Sequence, residues 1–86
     1  MTTIPFNPLQ LKGKLCETTH YLYFCDAEGI QGRMKEGEYF FVVDVNVTDY
    51  DKERWNFKLL LKDKIIFSSL TKFWLMDQKI IQEIKC

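Results

Sequence analysis

Between Lys35 and Ser68 the chain reads as strand, acidic loop, strand, two-residue turn and strand. Strand side chains point to alternate faces, so residues two apart share a side. In the first run, which starts at Gly37, this groups Tyr39, Phe41, Val43, Val45 and Val47 as the expected core face. In the second it groups Trp55, Phe57, Leu59 and Leu61. The third run, Ile65-Ile66-Phe67, follows at once after Lys62-Asp63, which leaves room only for a two-residue hairpin turn. Phe40, Val42, Leu60 and Ile66 fall on the opposite face. That face is too apolar for water, and the N-terminal arm, the last strand or a partner is expected to cover it. A meander of this kind can close into a small barrel.

At 86 residues the chain is expected to be one domain, 1–86, whose core is small for its surface. Its 13 aromatic side chains help to fill that core, and most are expected inside it. Charge is balanced, with 12 basic and 12 acidic groups, but residues 1–50 sum to −3 and 51–86 to +3. A duplex-DNA binder would need a basic excess, because phosphate neutralisation supplies most of its affinity. Cys16, Cys25 and Cys86 number three, so at least one is unpaired in a monomer, and free thiols in a reducing compartment are expected. The N-terminus lacks the charged leader and apolar segment of a signal peptide, and no apolar run reaches membrane-spanning length. The expectation is a soluble, cytoplasmic protein with no membrane association.

Residues 1–10 hold both prolines and no periodicity, which predicts an N-terminal arm with Ile4, Phe6 and Leu9 tacked onto the core. Leu11 to Thr18 and Tyr21 to Phe24 are predicted strands, followed by a long, partly mobile loop from Asp26 to Gly37. Lys35-Glu36-Gly37-Glu38 predicts a tight turn in which Gly37 takes positive φ. Thr48 to Arg54 is a solvated hairpin loop. Ser69 to Met76 predicts one helical or 3₁₀ turn capped by Ser68 or Ser69, and Lys79 to Ile84 the last strand.

The order of these parts resembles a small SH3-like barrel. Its opening strand, long loop, turn into a central meander and short helical turn before a final strand correspond to Leu15–Phe24, Cys25–Lys35, Met34–Phe40, Trp55–Ser68, Leu70–Trp74 and Ile80–Ile84. The chain is also similar to small SH3-like proteins of tailed phages, in Leu15-Cys16, Lys35-Glu36-Gly37-Glu38, Lys58-Leu59-Leu60 and Trp74. The resemblance implies a mainly all-β fold, a five- to six-stranded barrel with one short helical or 3₁₀ turn. It also implies a phage-encoded regulator or inhibitor of a host protein. An OB-like barrel is the nearest structural rival. Tyr21-Leu22-Tyr23-Phe24-Cys25-Asp26 only echoes the groove motif of proline-binding SH3 domains, and its late Asn-Tyr partner is missing, so polyproline recognition is not expected.

His20 is the only histidine, and on a strand it would stand about 13 Å from Cys16, too far for a thiolate–imidazole pair. Cys16, His20, Cys25 and Cys86 are the one available metal set, and their spacing does not match the two close pairs of structural zinc sites. The carboxylates sit mostly in wet loops, and Asp49-x-Asp51-x-Glu53 lacks the glycine and distal glutamate of a calcium loop. Gly29-x-x-Gly32 lacks the Lys and Ser/Thr of a phosphate loop. No catalytic residue, metal or cofactor is therefore expected. The leading expectation is a non-catalytic module that binds another protein, with Phe40, Phe73, Trp74 and Met76 as its interaction surface. The alternative is a single-stranded nucleic-acid-binding barrel using Arg54, Lys58, Lys62 and Lys64, with Lys72 beside them and Tyr50, Phe40 or Trp74 stacking bases. The chain is expected to be a monomer or an edge-strand homodimer.

Overall fold

The computed structural model describes residues 7–48 and 53–84. A 3₁₀ turn, Pro8–Leu11, leads into seven strands: β1 Leu15–Thr18, β2 Leu22–Asp26, β3 Gln31–Met34, β4 Tyr39–Val47, β5 Arg54–Leu61, β6 Lys64–Thr71 and β7 Ile81–Glu83. One helical turn, Phe73–Asp77, precedes β7. The strands form a single antiparallel sheet in the order β3-β2-β6-β5-β4-β1-β7, curled into a half-barrel with β3 and β7 at its edges. The fold is mainly β, as expected. No helix among the described residues is long and apolar enough to cross a membrane. The expected positions of Ile4 and Phe6, of Asp49 to Lys52 (Tyr50 among them) and of Cys86 lie outside the described residues.

The seventh strand, β3, comes from the stretch expected to be one long loop. Asp26 closes that stretch into a short turn. Its Oδ1 accepts the backbone N–H groups of Glu28 and Ile30, both at 2.9 Å, while Gly29 takes φ +84°. The chain then returns along β2, with Leu22 opposite Met34 and Phe24 opposite Gly32. Gln31, Gly32 and Arg33 carry no alternating apolar signal, so the pairing makes the strand rather than propensity.

The alternation of β5 holds as expected, with Trp55, Phe57 and Leu59 buried and Leu61 half-buried. In β4 the expected faces are reversed over the first half. Phe40 and Val42 are core residues, whereas Tyr39 and Phe41 face water. The reason is a β-bulge. Val42 pairs with Leu59 and Val45 with Phe57, yet Val43 and Asp44 together stand against the single Lys58. The extra residue restores phase after Val43, so Val45 is inward, while Val47 at the strand end is exposed. Ile66, opposite Leu59, joins Phe40 and Val42 inside, and only Leu60 of the expected second face stays out.

The two tight turns lie where expected. Lys62 and Asp63 both take positive φ (52° and 49°), the primed geometry whose twist suits a hairpin. Gly37, at φ +87°, donates its N–H to Thr18 O at 2.7 Å and steers the chain into β4. At the N-terminus Asn7 Oδ1 caps the 3₁₀ turn by accepting Leu9 N–H at 3.0 Å. Residues three apart are eclipsed in such a turn, so Pro8 and Leu11 face the core and Leu9, expected there, is exposed. The turn expected at Ser69–Met76 starts later, because β6 continues to Thr71. Ser68 does not cap it. It is buried, and its hydroxyl donates to Tyr23 O at 2.8 Å. Fewer aromatics are inside than expected: of the eleven described, Phe40, Trp55 and Phe57 are buried, Phe24 is partly buried and the rest are exposed.

Candidate interaction surface

The turn Phe73–Asp77 is anchored by Leu75, which is buried, and by Met76, which packs against the core from a half-buried position. With those two turned inward, Phe73 and Trp74 point out, 50% and 41% exposed. The turn is wide: Gln78 N–H donates to Phe73 O at 3.0 Å, five residues back, and Ile80 N–H to Trp74 O at 3.0 Å. The Phe73 and Trp74 rings meet edge to face with centroids 5.4 Å apart. His20 joins them with its ring 6.4 Å from Trp74, again edge-on.

Backbone clamps bring His20 there. Thr19 N–H donates to Ile80 O and Thr19 Oγ1 to Lys79 O, both at 2.8 Å. The hydroxyl proton is thereby committed to Lys79 O, so the 2.8 Å contact between Thr19 Oγ1 and His20 Nδ1 requires the imidazole to donate from Nδ1. Lys72 and Lys79 flank the cluster in sequence and are exposed. Nearby in sequence Tyr21 lies under the Arg33 guanidinium, 4.4 Å from its ring centre.

Two of the four residues expected to form an interaction surface thus stand together as an exposed pair, whereas Met76 turns inward against the core. Phe40 does not belong with them. It is 2% exposed, turned into the half-barrel by the phase of β4 described above. His20 was missed because the Thr19–Ile80 clamp joins segments sixty residues apart, a contact the sequence does not display.

The four basic residues of the nucleic-acid alternative are spread along the outer face of β5 and its turn into β6. Arg54 and Lys62 bracket the eight-residue β5 and stand about 27 Å apart at the usual strand rise. Lys62 Nζ lies 4.0 Å from Glu38 and Lys64 Nζ 3.3 Å from Asp26 Oδ2, each against a carboxylate. Arg54 contacts Ser69 Oγ at 3.5 Å. Lys58, midway along β5, has Asp44 on one neighbouring strand and Phe67 on the other.

The outer face of the sheet holds a second apolar surface. Strand register places Leu15 opposite Phe41, Phe41 opposite Leu60, and Leu60 opposite Ile65, one unbroken row across β1, β4, β5 and β6. Leu15, Phe41 and Leu60 are exposed and Ile65 is partly so. Tyr39 and Phe67, also exposed, lie on the flanking rows. Since a large aromatic presents roughly 150–250 Å², these six leave on the order of 500 Å² of contiguous apolar surface in water. Beside the row, an open groove of about 500 Å³ runs over Cys25, Asp44, Asn46, Asn56, Lys58, Phe67 and Ser69. The one histidine is not part of it and stands instead at the Trp74 cluster.

Three described titratable groups are shifted by their surroundings. Burial, then the charge of Glu83, pushes the Cys16 thiol up to about 11, so it stays protonated and a poor nucleophile at neutral pH. Asp26 is held below the usual carboxylate range by the Ile30 N–H, then by Glu28 N–H and Lys64, against the cost of burial. Asp44 is lowered chiefly by Val45 N–H, with Lys12 3.4 Å away. Among the described residues no three His, Cys, Asp or Glu side chains are grouped to hold a metal ion. No family model, curated protein or solved structure matches the chain.

Proposed function

We propose that the chain is a non-catalytic protein-interaction module, and that Phe73 and Trp74, with His20 alongside, are its docking knob. The observation that carries this reading is the edge-to-face pair of half-exposed rings on a turn pinned by Leu75. Large aromatics held rigid at a surface lose little entropy on binding and are enriched among binding hot spots. Lys72 and Lys79, which flank the turn in sequence, outnumber its exposed Asp77 and favour an apolar pocket with an acidic rim. The likeness to small phage barrels supports a role as a regulator that occludes a host protein in the host cytoplasm.

Capture from cell lysate with the tagged chain tests this, with and without nuclease. Nuclease-resistant recovery of one protein by the wild type, lost with Trp74→Ala while the melting temperature holds, is the expected result. Recovery of nuclease-sensitive material alone, lost with Lys58→Glu and strongly salt-dependent, would instead assign the chain to single-stranded nucleic acid. Capture unaffected by Trp74→Ala would remove the knob from its role.

A further inference from the structure

We infer that a second copy of this chain covers the outer apolar row, with the two sheets packed face to face about a two-fold axis running between β4 and β5 along the strands. This interface uses different residues from the Phe73–Trp74 knob and stands or falls independently of it.

Three features point to a copy of the chain rather than another partner. The first is size. The largest apolar patch on a monomer is commonly about 300–600 Å² and often functional, and a stable interface needs about 800 Å² per partner in total. The row, with its flanking aromatics and polar rim, is on that scale. The second is shape. The outer face of the curled sheet is convex across the strands, so the contact centres on the two-stranded β4–β5 strip, whose in-register apolar residues can pack at about 10 Å against a second such strip.

The third is charge. In a two-fold interface each residue meets the position its own counterpart occupies across the axis. With the axis between β4 and β5, residues paired across those strands exchange places between copies. Phe41 then meets Leu60 of the other copy at the centre, with Leu15 and Ile65 at the flanks of the contact. On the next row Asp44 is paired with Lys58 across the same two strands. Each copy therefore sets its Asp44 over the other's Lys58, twice over, at the border of the apolar row. One row further, Asn46 and Asn56 are likewise partners, and their amides can bond reciprocally. Lys12, which lies 3.4 Å from Asp44 and is well exposed, is free to swing away.

The test is sedimentation equilibrium on the full-length chain, on Asp44→Lys, on Lys58→Asp, and on an equimolar mixture of the two variants. The wild type is expected at twice its 10.3 kDa monomer mass. Each variant alone sets like charges face to face and is expected to dissociate at least about tenfold more readily, ~1.4 kcal/mol. The mixture restores both pairs, Asp44 with Lys58 in one direction and the reversed pair in the other, and is expected to regain wild-type dimerisation. Restoration in the mixture cannot arise from a folding defect. If either variant fails to fold, Leu60→Lys on the central row takes its place and is expected to be folded and monomeric. A monomeric wild type, dimers indifferent to the single variants, a mixture that stays monomeric, or a dimeric Leu60→Lys would each overturn the interface.

Discussion

Phe24 reaches across the β2–β3 pair to the bare backbone of Gly32, where a Cβ would stand 2.6 Å from the tip of the ring. Gly32 is there for space, not for an unusual backbone angle. Gly32→Ala is expected to push the half-buried ring outward at a cost of about 1–2 kcal/mol, read by chemical denaturation. Cys16 gives a pH signature. Its raised pKa means that the folded state holds the proton more tightly than the unfolded chain. That contribution is complete below about pH 9 and is lost as pH rises toward about 11, so stability should fall across this window more steeply in the wild type than in Cys16→Ala. For Asp26 the sign is opposite. Its lowered pKa stabilises the fold at and above the ordinary carboxylate range, and that contribution is lost as acid protonates it below pH 3.8. The tryptophans differ as well. With Trp55 alone (Trp74→Phe), emission should be blue-shifted and protected from quencher, and with Trp74 alone (Trp55→Phe), red-shifted and quenchable.

At the scale of the element, the bulge at Val43 decides which face of β4 is core. Phe40→Ala removes a ring from the interior and is expected to cost about 3–5 kcal/mol, whereas Phe41→Ala, on the outer face, should cost under about 1 kcal/mol in the dissociated chain at high dilution. Equal costs would place the bulge elsewhere. The same comparison shows where the sequence was legible. In β5 polar Asn56 and Lys58 alternate with Trp55, Phe57 and Leu59, so only one phase is possible. Phe40-Phe41-Val42-Val43 is apolar in both phases, and nothing in it marks the inserted residue. The Lys62-Asp63 turn was readable from spacing alone. β3 was not, because its identity depends on the Asp26 side chain closing the turn before it. Phe73 and Trp74 could be picked out by residue type, while the outer row emerges only once four strands are set in register.

Over the whole molecule, a half-barrel has one concave face and one convex face to satisfy. Leu22, Met34, Phe40, Val42, Leu59 and Ile66 fill the concave side completely. The convex side keeps the Leu15–Phe41–Leu60–Ile65 row with no internal cover among the described residues. A face-to-face dimer accounts for that row and leaves two Phe73–Trp74 knobs free. A target presenting two copies of the matching pocket would then be bound by avidity beyond either single site. Methyl-resolved NMR of the full chain through a dilution series addresses both faces at once. The leucine methyls of Leu15 and Leu60 and the methyls of Ile65 are expected to shift with concentration, while those of Leu22, Leu59 and Ile66 stay fixed. Outer-row methyls that do not move, or movement confined to β3 and β7 at the sheet edges, would contradict the assignment of the convex face as the interface.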